Sequence, residues 1–200
     1  MDFSSLNPIT SNALNLAARN DNVKEVERLL KKMNPNCIDK RGWTCLHEAA
    51  ANDSFRCLQL ILKNKDIRPL AETHEGHTAL HLACWYSSSF QTIKALLESV
   101  PNIAKYGSIK NVTPLHISCV QGKLDIIQLL LDYGAIIDVQ DSDGDTPLHC
   151  AVLNIQYEAV TTLLHAGADP EIRNEINCTA FHLARYQGCL QTKIYFSICV

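Results

Sequence analysis

The sequence predicts an all-α fold, a row of short helix–turn–helix units stacked on one another and joined by β-turns or hairpins. Three observations carry that expectation. A Thr-x-Leu-His stretch recurs, as TCLHEAA at 44–50, TALHLAC at 78–84, TPLHISC at 113–119 and TPLHCAV at 146–152, and with Phe for Leu as TAFHLAR at 179–185. Its histidines, His47, His81, His116, His149 and His182, stand 34, 35, 33 and 33 residues apart, which is the mark of an internal repeat. Two residues before each Thr comes a Gly or an Asn (Gly42, Gly76, Asn111, Gly144, Asn177), the residue types that adopt a positive backbone angle in a tight turn.

The units follow in order. The spacing divides the chain into one array over 12–200, behind a flexible lead of 1–11, with units at 12–38, 39–72, 73–107, 108–140, 141–173 and 174–200. The first unit, ALNLAARNDNVKEVERLL at 13–30, lacks the Thr-x-Leu-His signature. It keeps an apolar stripe (Val23, Val26, Leu29, Leu30) with Lys24, Glu25, Glu27 and Arg28 outside, as a terminal cap facing water should. In later units the Thr is placed to N-cap a first helix of about nine residues, and Pro114 and Pro147 fit its first position. A second helix then shows apolar residues at helical spacing: Ile126, Ile127, Leu130, Leu131 in one unit and Val160, Leu163, Leu164 in the next. Gly134 and Gly167 fit helix stops. One unit is too small to bury its apolar face, so neighbours must share a core.

The last unit begins regularly and then reads CLQTKIYFSICV at 189–200. Lys193 and Ser197 break the apolar stripe, while Ile194, Tyr195, Phe196, Ile198 and Val200 lie all round it. Three readings fit: a fragment of a longer array, an alternative transcript that ends early, or a hydrophobic contact surface. The first two are favoured.

Composition excludes several function classes. Net charge is −3 and the 18 Lys and Arg are spread out, so no nucleic-acid partner is expected. No apolar run approaches a membrane span, and MDFSSLNPIT is unlike a signal peptide. Nine cysteines without a CxxC spacing fit buried thiols in a reducing setting, with no metal and no other cofactor. His149 beside Cys150 resembles a catalytic pair, yet a histidine found in every unit belongs to the unit's construction, and Cys150 reads as a small core residue. Asp141, Asp143 and Asp145 resemble the start of a calcium loop, but the twelfth position is Val152 where a Glu is needed, which leaves a solvated turn.

The Thr-Pro-Leu-His cores, the D-x-x-G turns at 39–42 and 141–144, and Leu163, Leu164, Gly167, Ala168 and Asp169 resemble the ankyrin repeat family over about residues 12–188. The resemblance implies that each histidine hydrogen-bonds within and between units. It also implies a non-enzymatic, monomeric protein of the cytoplasm or nucleus that binds another protein on a concave face of turn tips and first-helix flanks. The flank slots hold Ala51, Asn52, Trp85, Tyr86, Val120, Gln121, Leu153, Asn154, Tyr186 and Gln187; the turn slot just before each Thr holds Trp43, His77, Val112, Asp145 and Cys178. The candidate binding residues are Trp43, His77, Trp85, Tyr86, Gln121 and Asn154, with the aromatics as exposed anchors. Trp85 and Tyr86 have a second reading, packing onto the third unit, which carries one extra residue in YSSSF at 86–90.

More narrowly, LAARNDNVKEVERLLKK and DKRGWTCLHEAAANDSFRCLQLIL resemble the ankyrin repeat and SOCS box family, through Gly42, Trp43 and His47 to Ala50. That family presents substrates to cullin-RING ubiquitin ligases, so ligase components are implied partners of a longer form carrying a SOCS box. The alternative is a structural or regulatory ankyrin protein, such as a membrane-skeleton adaptor or a transcription-factor inhibitor.

Overall fold

The computed structural model describes residues 12–86 and 88–186. The lead at 1–11 and the irregular end at 189–200 lie outside the described residues. Every described element is helical, with no strand among the described residues. The chain forms two compact units, 1–103 and 104–200.

The first unit holds three helix pairs: α1 (Ala13–Arg19) with α2 (Val23–Leu30), α3 (Cys45–Ala51) with α4 (Phe55–Leu62), and α5 (Ala79–Trp85) with α6 (Phe90–Ser99). α3 packs between α1 and α5, and α4 between α2 and α6. The second unit holds α7 (Pro114–Gln121) with α8 (Leu124–Asp132), α9 (Pro147–Leu153) with α10 (Tyr157–His165), and α11 (Ala180–Tyr186). Here α9 packs between α7 and α11, and α8 against α10. First helices are seven or eight residues long rather than nine. Leu46, Leu58, Ile61, Leu80, Ile93 and Leu96 fill the first core, and Leu115, Ile117, Ile126 and Ile127 the second.

Four of the first helices, α1, α3, α7 and α9, are followed by a left-handed residue that reverses the chain. Asp21, Asp53, Gly122 and Ile155 have φ of 50°, 54°, 67° and 60°. The bonds Asn22 N–H to Ala17 O, Ser54 N–H to Ala49 O and Gln156 N–H to Ala151 O close the same six-residue ring, which satisfies a helix-end carbonyl. The Asp21 and Asp53 side chains go further. Asp21 accepts from Cys57 N–H at 2.9 Å, and Asp53 accepts from Ser89 N–H at 3.0 Å and Ser89 Oγ at 2.7 Å, so each also caps the second helix of the following repeat.

The finger turns form by one rule. Asp39 N–H bonds Trp43 O and Gly42 N–H bonds Asp39 O; the same two bonds recur from Thr73, Ser108, Asp141 and Asn174. Neighbouring fingers are stitched inside each unit: His74 N–H to Arg41 O in the first, Ser142 N–H to Lys110 O and Glu175 N–H to Asp143 O in the second. Close approach explains two glycines. A Cβ on Gly42 would stand 2.8 Å from His74 N, and one on Gly144 2.7 Å from Glu175 N; both have positive φ.

Candidate protein-binding grooves

The histidines serve as struts. Thr44 N–H donates to His47 Nδ1 at 3.1 Å, and the Thr44 hydroxyl lies 2.9 Å from the same nitrogen. With Nδ1 accepting, the proton sits on Nε2, which donates to His77 O at 3.1 Å in the next finger. His116 reaches Asp145 O at 3.0 Å and His149 reaches Cys178 O at 3.1 Å in the same way. These rings are about 1% exposed. Burial drives the His47 pKa down to about 4, against the pull of its carbonyl partners, and lowers that of His116 from its ordinary value.

The first repeat contains a variant of this strut. Asn12 caps α1 by accepting from Asn15 N–H at 2.8 Å, so Asn12 and Asn15 hold the Thr and His places. The Asn15 Nδ2 donates to Trp43 O at 2.8 Å, as the histidines do to their finger carbonyls. Its Oδ1 is buried without a hydrogen-bond partner, because asparagine is too short to turn an acceptor back to the cap. The signal was present in sequence as Asn-Ala-Leu-Asn at 12–15, in register with Thr-Cys-Leu-His at 44–47.

His149 and Cys150 do not make a nucleophile and its base. The imidazole is engaged by Thr146 and by Cys178 O. Burial pushes the Cys150 thiol up to about 12, and Asp141 and Asp145 add to the effect, so it stays protonated at neutral pH. The described cysteines are free thiols. Asp141 Oδ1 accepts from the N–H groups of Asp143 and Asp145, both at 2.9 Å, which makes the acidic run a turn. Among the described residues no three His, Cys, Asp or Glu side chains converge as metal ligands.

With the recurring residues used in construction, the side chains that vary between repeats stand at the finger bases and first-helix ends. Trp43 corrects one expectation: it is 5% exposed and no surface anchor. The Arg41 guanidinium stacks 3.9 Å above its ring, and the Tyr86 ring meets it edge-on at 6.0 Å. Ala51, also buried rather than exposed, and Leu82 complete the cluster. Arg41 forms a short ion pair with the fully buried Glu48 and another at 2.6 Å with Asp39. Neither acid nor base is left uncompensated, and the groove is closed by its own side chains.

The other predicted residues lie apart. His77 is half-buried, its ring 5.5 Å from that of His81; burial lowers its pKa although Glu75 opposes this. Trp85, at the end of α5, is 37% exposed, while Tyr86 beside it is half-buried. Tyr86 packs against Trp43 of the preceding repeat, rather than onto its own repeat alone, while Trp85 stays more than a third exposed. Gln121 ends α7 half-buried. Asn154 is exposed after α9, its Nδ2 donating to Cys150 O at 2.9 Å. Gln187 lies outside the described residues. Sequence reading missed the Arg41–Glu48 pair, which only the fold of turn onto helix brings together.

A family model described as ankyrin repeats (3 copies) matches residues 14–106 and 102–174. The chain belongs to the ankyrin repeat family, whose repeats are scaffolds for protein interaction. It is 33% identical over 198 residues to ankyrin repeat and SOCS box protein 3 of Homo sapiens, covering 96% of this chain and 38% of that protein. It is 30% identical over 172 residues to target of rapamycin complex 2 subunit AVO2 of Saccharomyces cerevisiae, covering 82% of this chain and 40% of that protein. The chain thus spans about two fifths of the length of these curated relatives. The human ASB11 ankyrin repeat domain has the same fold, with a TM-score of 0.83 and 23% identity over 94% of this chain and 84% of that one. No helix among the described residues is long and apolar enough to cross a membrane.

Proposed function

We propose that the chain is a non-enzymatic adaptor that holds a protein partner against its finger bases and first-helix ends. One observation carries this reading: the Thr and His of the repeats are turned inward as caps and struts, which leaves the side chains that differ between repeats, at the finger bases and first-helix ends, for recognition. Trp85, Gln121, Asn154 and His77 are the contact residues in this proposal. The setting is reducing, in the cytoplasm or nucleus, and the protein acts as a monomer without a cofactor.

Within this reading the chain supplies substrate recognition to a cullin-RING ubiquitin ligase, in a longer form that carries a SOCS box. Support comes from the likeness to ankyrin repeat and SOCS box protein 3, joined by protein 16 of Homo sapiens at 32% identity over 156 residues. A regulatory scaffold unrelated to ubiquitin is the second reading, supported by the likeness to AVO2.

Affinity capture from cell lysate with mass spectrometry tests the adaptor reading. The wild type is compared with a Trp85→Ala, Gln121→Ala, Asn154→Ala variant that melts at the same temperature. Loss of a captured protein from the variant supports the reading; unchanged capture of every protein sinks it. A cullin captured by a SOCS-box form, and not by the 200-residue chain, separates the ligase role from the scaffold role.

A further inference from the structure

The two units differ in charge as well as in how their grooves are filled. Residues 12–103 hold twelve Lys and Arg against ten Asp and Glu; residues 104–186 hold five against ten. Among the described residues every ion pair lies in the first unit, from Glu25–Arg28 to Lys94–Glu98. In the second unit the carboxylates of Asp143 and Glu175 are exposed and hydrogen-bond to no described side chain. Among the described residues the Asp145 carboxylate accepts only from the neutral Asn174 Nδ2, at 2.8 Å.

The filled groove of the first unit can be compared with the same positions in the second. In the first unit the turn residue Trp43 meets its own helix end at Ala51 and the next helix at Leu82, under the guanidinium of Arg41. The repeat places Asp145, Leu153 and Leu183 at the corresponding positions of the second unit, with Asp143 where Arg41 stands. Two carboxylates thereby take the sequence positions of a cation and an aromatic ring. Leu153 is left 40% exposed and Ile176, on the next finger, 72% exposed. The cations of these fingers are Lys110, one finger away, and Arg173, whose Nη1 donates to Asn177 O.

We propose that this face of the second unit binds an extended, basic segment of a partner protein, whose Arg or Lys takes the place over the groove that Arg41 fills in the first unit, while a neighbouring apolar side chain covers Leu153 and Ile176. Carboxylates that pair with no described cation, beside the partly exposed Leu153 and Ile176, are complementary to that occupant and repel an acidic one. The proposal rests on the adaptor reading above and names its partner's chemistry.

Selection of a random peptide library against the full chain tests it, followed by fluorescence anisotropy on the enriched peptides. Enriched peptides are expected to carry net positive charge with interspersed apolar residues. Their affinity is expected to fall at least about tenfold in an Asp143→Lys, Glu175→Lys variant, and several-fold between about 0.05 and about 0.5 M salt. A Lys40→Glu change in the first unit is expected to leave affinity within about twofold, and unchanged melting of both variants confirms their fold. Enrichment of neutral or acidic peptides, affinities unmoved by the charge reversal, or no enrichment at all overturns the proposal. Neutral peptides that lose binding in a Leu153→Glu variant overturn the basic partner alone and leave the groove as a binding site; peptides indifferent to both variants remove the groove as well.

Discussion

The first and second units are built from one repeat, yet the same positions do opposite work in them. In the first, Arg41, Trp43, Glu48 and Tyr86 satisfy one another and close the groove. In the second, Asp143 and Asp145 stand where Arg41 and Trp43 do, Cys150 takes the place of Glu48, and Leu153, in the place of Ala51, is 40% exposed. The struts and caps are alike, so fold and surface are separable in this repeat. The residues that make the unit are its Thr, His and turn Gly or Asn; a few others decide whether a groove becomes core or contact surface.

That difference is broken most severely at Trp43. Trp43→Ala removes a side chain packed by Arg41, Tyr86 and Leu82, and urea unfolding is expected to show a loss of about 3–5 kcal/mol. Leu153→Ala in the open groove is expected to cost under about 1 kcal/mol, since 40% of the residue is already in water. Equal losses would mean the second groove is as much core as the first.

Acid reaches what the units share. His47 in the first and His116 in the second are buried neutral, with folded pKa values below the unfolded value near 6.5, and His47 near 4. Between those limits the unfolded chain binds the proton and the folded chain refuses it. The contribution is full above about pH 6.5 and drains as pH falls toward 4, by on the order of 3 kcal/mol for His47. Urea midpoints are expected to fall steadily from pH 7 to pH 4.5, and a His47→Gln variant to show a flatter slope from a lower start. A midpoint independent of pH over that range would contradict neutral struts.

Much of this was legible in the sequence. The histidine spacing gave the unit length, and the Gly or Asn before each Thr gave the left-handed turn at Gly42, Gly76, Asn111, Gly144 and Asn177. Residue-level exposure was not. Trp43 looks like an anchor in the sequence because the groups that bury it are brought to it only by folding: Arg41 by the turn, Tyr86 from the following repeat. The division of charge is also written in the sequence, but it has no meaning until the boundary at Ile103 is known.

The strut of the first repeat offers a gain rather than a loss. Asn15 donates to Trp43 O but leaves its Oδ1 buried and unbonded. Asn15→His would supply Nδ1 near the cap and keep the donor, as in the later repeats. Removing one unsatisfied buried acceptor is expected to raise stability by about 1 kcal/mol, read as a higher urea midpoint. A fall would show that the space beside α1 is too small for the ring.

The smallest effect lies in the reversal after the first helix. Ile155 and Asp53 occupy the same slot with φ of 60° and 54°. A β-branched residue is strained there, because its Cβ crowds the backbone in the left-handed region. Asp53 carries the same backbone geometry but returns something for it, accepting from Ser89 N–H and Oγ and from Thr92 Oγ1. Ile155 is 53% exposed, so its side chain returns little. Ile155→Gly is therefore expected to stabilise by about 0.5–1 kcal/mol, the relief of strain exceeding the extra freedom of the unfolded chain. Asp53→Gly, which relaxes the same angle, is expected to destabilise through the lost bonds across repeats. Opposite signs at one slot, measured by thermal melting, would show that the first unit uses this turn to tie repeats together while the second uses it only to turn. Matching signs would mean that backbone conformation alone decides the slot in both.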